Sequence, residues 1–213
     1  MTALETQLAR PLLFWISPGD TRCASRSDAA VAFSVIATMH VVAVWSIAPA
    51  VLPAGSLASV TVVAPLLLLQ MAIVVATLAV RWTLVTYFVW SLSIWRNARV
   101  KQAVPYFGVV VMADAVTAAQ MAVASMAARF SDAGARSYLQ APRMGLDLVV
   151  APASPLGAAF LSSVDGFAVW YGIIVTIGLE AACGIRRRDA ILIVLLMWVI
   201  SVALRVILPA VAG

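Results

Sequence analysis

This sequence is poor in charge. Only 11% of its 213 residues are charged, and of the 14 basic ones Lys101 alone is a lysine. A chain that is 64% hydrophobic, with a mean hydropathy of +1.04, has too little polar surface to cover a soluble globule. It belongs in lipid. Cysteine is scarcer still: Cys23 and Cys183 are too few and too far apart for a disulfide framework or a metal motif, and both are expected as free thiols. Histidine is rarer again. His40 has no second ligand at zinc spacing, so no metal is expected. P-loop and dinucleotide glycine fingerprints are missing, and neither Ser162, Ser163 nor Cys183 lies in a recognisable nucleophile setting. No catalytic residue and no cofactor follow, and the chain reads as a non-enzyme.

The net charge of +5 and pI near 9.9 do not point to nucleic acid. The basic residues fall in short clusters between apolar runs, which is the pattern of membrane topology. Arginine in place of lysine, with abundant Ala and Val, suggests a high-GC bacterial source and hence an inner (cytoplasmic) membrane.

Residues 1–28 are expected to form a cytoplasmic segment and not a cleavable signal peptide. Glu5 comes early, and the apolar run Leu12 to Ile16 is shorter than the roughly 7–15 residues of a signal core. Leu8, Leu12, Trp15 and Ile16 recur at helical spacing, as in an interfacial helix broken by Pro18-Gly19. Residues 29–213 read as a five-helix transmembrane domain, with spans at 29–51, 60–95, 103–128, 164–183 and 189–210. The second is one long tilted helix: ending it at Arg81 would leave Trp82 to Trp95 to cross alone, short of the ~17-residue minimum. The third is rich in small residues, with Ala115, Ala119 and Ala122 spaced for close helix approach. Residues 129–156 form a polar loop with room for a short surface helix. No internal repeat is evident.

Five spans place nine basic residues on one side, among them Arg96, Arg99, Lys101 and the triplet Arg186, Arg187, Arg188, and only Arg129, Arg136 and Arg143 on the other. The nine-residue side is then cytoplasmic, which puts the N-terminus inside and the C-terminus outside. The expected fold class is an all-α integral membrane protein.

The residues that stand out are ionisable or polar ones within spans: His40, Arg81, Asp114, Thr176, Glu180 and Arg205, with Asp165 at an outer edge. A charge in hydrocarbon costs several kcal/mol unless paired or wetted, so these should face the bundle interior. In the fourth span Asp165, Gly172, Thr176, Glu180 and Cys183, at i, i+7, i+11, i+15 and i+18, are expected on one helical face. At about 1.5 Å per residue from the cytoplasmic ends, Arg81 lies about 22 Å deep, Arg205 about 24 Å, His40 and Asp114 about 17 Å each, and Glu180 about 9 Å. Two pairs follow, Arg81 with Asp114 and Arg205 with Asp165, while Glu180 reaches toward the arginine triplet. Their simplest role is to fix which helices pack and in what register; a proton or substrate pathway is the competing one. The tryptophans Trp15, Trp82, Trp95, Trp170 and Trp198 read as interfacial anchors or core filling. The triplet Arg186, Arg187, Arg188 reads first as a topology determinant and second as a contact for anionic lipid.

The unit Asp165-Gly166-Phe167-Ala168-Val169-Trp170, followed by Ile177-Gly178-Leu179, a basic turn and Ala190 opening the run Ile191 to Val194, resembles the Yip-domain family of small five-span membrane proteins. Arg99 to Val110, and Leu13-Phe14 before Pro18, resemble its bacterial members. The resemblance implies five helices with a cytoplasmic N-terminus. It also implies a membrane-organising role, whereas the Asp-Leu-Tyr-Gly-Pro type of motif that accompanies GTPase recruitment in eukaryotic members has no counterpart here. The expected function is therefore a membrane-organising or accessory protein binding lipids and another membrane protein or a second copy of itself. The alternative is a small transporter, channel or lipid scramblase that uses the buried charges.

Overall fold

The computed structural model describes residues 26–51, 60–96, 98–130, 145–146, 149–150 and 154–212. Among these every regular element is a helix: α1 (Arg26–Val51), α2 (Val60–Trp95), α3 (Ala103–Phe130), α4 (Pro155–Ser163), α5 (Gly166–Cys183) and α6 (Arg187–Ala212). Among the described residues three helical stretches are long and apolar enough to cross a membrane, Leu68–Trp95, Ala103–Ala124 and Gly166–Cys183. The sides they leave uncovered are apolar too. Leu68, Leu84 and Tyr87 on α2 and Leu192, Leu195 and Val199 on α6 are all exposed, a surface that water would not tolerate at this extent. The protein reads as a membrane protein on that ground as well as on composition.

The core is built around α3. From Val109 to Val116 all eight consecutive residues are buried, more than a full circuit of the helix, so neighbours close it in on every side. Small side chains make this feasible, with Ala113, Ala115 and Ala118 letting backbones approach. α1 packs there through Ala32, Ile36 and Ala37, α2 through Leu78, Trp82 and Val89, and α5 through Ile174, Val175, Leu179 and Cys183. α6 lies outside α5 and also touches α2 and α4. Cys183 is buried and in no disulfide; Cys23 lies outside the described residues.

α2 is a single helix of 36 residues with Pro65 inside it. At about 1.5 Å per residue it exceeds the ~30 Å hydrocarbon core, so one end must project. Within the expected loop 129–156 the described parts are brief. Gly145 bridges to Asp165, and Leu146 N–H donates to Val164 O at 3.1 Å. Ser154 then caps α4, accepting from Gly157 N–H at 3.0 Å, with Pro155 in the first turn, where its missing N–H costs nothing.

The sequence places the basic turn at Arg186 to Arg188, but the helix α6 already begins at Arg187. The reason is the stop signal before it. Gly184 adopts the left-handed conformation (φ 65°) that ends α5, and its N–H donates to Leu179 O, so the turn is complete within two more residues. Cations in the first turn of a helix oppose its dipole; Asp189, in the same turn, offsets them.

At Gly172 a Cβ would lie 3.2 Å from Val194 Cγ1, so α5 and α6 are closely packed there. Gly172→Leu is expected to push the two helices apart and to cost about 1–3 kcal/mol. A lowered unfolding temperature in detergent, with helical content retained, is the readout; an unchanged transition would contradict this packing.

Candidate functional site

Two clusters of polar side chains stand out, one inside the bundle and one at its basic end. The inner one is centred on Asp114, 1% exposed on α3. A carboxylate so placed has lost its water and must find donors in the protein. It finds them on α2: Arg81 Nη2 donates to Oδ1 at 2.7 Å, and Trp82 Nε1 donates to Oδ2 at 2.8 Å. His40 on α1 completes the cluster, its Nε2 3.4 Å from Oδ2. Its Nδ1 lies 2.9 Å from the Ile36 carbonyl, which can only accept, so Nδ1 carries a proton. Nε2 touches the carboxylate without making a hydrogen bond. The ring also lies edge-on to Trp82, whose other flank meets Phe33 at 5.2 Å between centroids. The carboxylate thus ties α2 to α3, with α1 packed against it through His40.

The two ends of this pair differ in environment. Asp114 is sealed, while the Arg81 side chain is 45% exposed. Arg81 therefore does not face the bundle interior as its sequence position suggested; only its guanidinium edge reaches inward. Gln70 and Thr77, which lie 11 and 4 residues before Arg81 and so close to its face of α2, are exposed too. α2 is a peripheral helix, and it offers the core the neighbouring face of Leu78, Trp82 and Val89 instead.

The partners described for Asp165 are on α5 and α3. It is the N-cap of α5, accepting from Ala168 N–H at 2.6 Å, and its second oxygen accepts from Gln120 Nε2 of α3 at 2.9 Å. The side chain of Arg205 lies outside the described residues. Thr176 is buried and donates to Gly172 O at 2.8 Å, so its hydroxyl is satisfied within its own helix. Glu180 is exposed, contrary to the expectation of an inner face. Fifteen residues beyond Asp165, it is rotated about 60° away, whereas Cys183 returns to the buried side.

Glu180 lines the second cluster, a polar cleft of about 620 Å³ shared with Arg96, Arg99, Gly184, Arg186 and Asp189. Arg96 is paired there with Asp189 at 2.8 Å, which links the end of α2 to the start of α6. Arg96 also stacks over Trp95, 5.7 Å from the ring centroid. Val100 N–H donates to Cys183 O at 3.4 Å, holding the α2–α3 connection against the end of α5. Arg187 and Arg188 are exposed and outside the cleft lining. A separate apolar groove of about 570 Å³ runs between α1, α2 and α3, walled by Phe33, Tyr87, Trp90 and Phe107; Asp114 is not in its lining.

Gln120 was not singled out from the sequence, and Trp82 was read there only as an anchor or core filler. Each supplies a donor to a carboxylate already singled out. His40 was singled out but not paired with Asp114, although their matching depth of about 17 Å was a usable signal. Among the described residues no group of three His, Cys, Asp or Glu side chains is placed to hold a metal ion. Comparison of the chain with family models, curated proteins and solved structures finds no match in any of the three.

Removing the carboxylate strands both donors at once. Asp114→Ala is expected to cost on the order of 3 kcal/mol, the lower end for a broken buried pair because Arg81 keeps partial access to its surroundings. Trp82→Phe removes one hydrogen bond and should cost about 1 kcal/mol. Unfolding temperatures in one detergent should rank wild type above Trp82→Phe above Asp114→Ala; an Asp114→Ala protein as stable as wild type would show that the cluster holds nothing together.

Proposed function

We propose that this chain is a non-enzymatic, five-span protein of a bacterial inner membrane, similar in kind to the Yip-domain proteins, that organises the membrane by binding lipids and neighbouring membrane proteins or a second copy of itself. The observation that carries the reading is the closed state of the Asp114 cluster. Both carboxylate oxygens accept hydrogen bonds from α2, and the residue is sealed from its surroundings. A transport pathway needs a polar group that exchanges partners with water or solute; a buried group whose two oxygens are both held by a neighbouring helix is a packing device. The large apolar faces of α2 and α6 are what lipid and partner helices would meet.

The orientation belongs to the same reading. Arg96, Arg99, Lys101, Arg186, Arg187 and Arg188 gather at one end of the bundle, which is assigned to the cytoplasm by the bias of basic residues toward that side. In a background lacking Cys23 and Cys183, Lys101→Cys should react with an impermeant thiol reagent only in inverted vesicles and Arg136→Cys only in intact spheroplasts. The reverse pattern would overturn the orientation.

Activity is tested with the purified protein in sealed liposomes. The reading expects no movement of fluorescent lipid or of small ions above protein-free vesicles. A flux that Asp114→Asn or Glu180→Gln abolishes would replace it with a transporter or scramblase.

A further inference from the structure

The basic-end cleft holds more charge than its internal ion pair uses. Arg96 and Asp189 neutralise one another at 2.8 Å. That leaves Arg99, Arg186 and Glu180 in the same lining, for which no ion pair is found among the described residues. Two guanidiniums and one carboxylate facing a single open volume form a bipolar pattern. A purely anionic ligand would satisfy the arginines but meet Glu180 as a like charge. A purely cationic one would have the opposite fault. The pattern is matched by a group that carries an anion and a cation a few bonds apart.

We propose that this cleft binds a phosphoethanolamine group, with its phosphate on Arg99 and Arg186 and its primary ammonium on Glu180. This deepens, and rests on, the reading of the chain as a lipid-binding membrane protein. Guanidiniums suit phosphate because their planar N–H edges meet two oxygens at once, and a primary ammonium has three donors for a carboxylate. The backbone prepares the site. Gly184 brings the end of α5 against the stem of Arg99, where an added Cβ would sit 3.3 Å from Arg99 Cβ, and the left-handed turn that follows presents Arg186 on the same side. Trp95, 75% exposed at the rim, has the chemistry of a residue at the level of lipid head groups. A cleft at the charged end of an apolar bundle is reached most directly by the head group of a phospholipid whose tails lie along the exposed apolar helices.

The test uses the full chain in nanodiscs of equimolar phosphatidylethanolamine and phosphatidylglycerol, with tightly retained lipid counted by native mass spectrometry. Wild type should retain phosphatidylethanolamine about fivefold over its bulk share, the effect of one interfacial charge contact. Glu180→Gln should lose that preference and shift toward phosphatidylglycerol, and Arg99→Gln with Arg186→Gln should lose both lipids. Arg188→Gln, exposed but outside the lining, should behave as wild type. All these side chains are exposed, so unchanged unfolding temperatures should show that the variants fold. Soluble phosphoethanolamine is titrated against the detergent-solubilised protein in parallel; binding there without lipid enrichment identifies the free compound as the source, still through Glu180. Equal retention of the two lipids by wild type together with no binding of the soluble compound, or a preference that survives Glu180→Gln, overturns the site. The same discs reformed as sealed vesicles report flux, so a failed head-group site in tight vesicles leaves the membrane-organising reading standing, while Asp114-dependent leakage removes that reading itself.

Discussion

A single carboxylate buried in the most enclosed helix of the bundle governs how its neighbours are arranged. Asp114 is 1% exposed and has no access to water, so α2 must present Arg81 and Trp82 to it and α1 must bring His40 alongside. Apolar side chains pack in many registers and rotations at similar energy, but hydrogen bonds of 2.7 and 2.8 Å permit only one. The apolar contacts of Leu78, Val89, Ile36 and Val110 then fill the space that this arrangement leaves.

From this constraint the division of labour between helices follows. α3 spends the whole surface of its middle stretch, Val109 to Val116, on packing. α2 and α6 lie at the periphery and keep broad apolar faces uncovered, available to lipid or to another protein. Charge at the basic end obeys different rules because it is exposed. There Arg96 and Asp189 join α2 to α6 in a partly open setting, where an ion pair contributes about 1 kcal/mol or less. Its larger effect is on the field of the cleft: by neutralising one another these two residues leave Arg99, Arg186 and Glu180 to define what the cleft recognises.

Much of the helical layout was legible in the sequence because hydropathy is read along one dimension. The long apolar run from Val60 to Trp95 is a single helix, as its length required. Arg81 and Asp114 meet because their depths differ by less than an arginine can reach. What depth does not contain is rotation about the helix axis and the order of neighbours. Glu180 illustrates the first: a shared face read too broadly put it inside, and a turn of about 60° puts it outside. Asp165 illustrates the second. Depth did not point to Gln120 on α3 or to the first turn of its own helix, both of which donate to it. Trp82 was read only as an anchor or core filler for a third reason, since an indole is mostly hydrocarbon and its single N–H does not announce itself among apolar neighbours.

The central claim is that Asp114 and Arg81 act as a structural pair and not as a pathway. A double-mutant cycle of Asp114→Leu and Arg81→Leu, followed by unfolding temperature in nanodiscs of fixed lipid composition, tests it most directly. A packing pair predicts that each single variant is clearly destabilised and that the double variant recovers much of the loss, because no buried charge is then left without its partner. Losses that simply add in the double variant would contradict the claim.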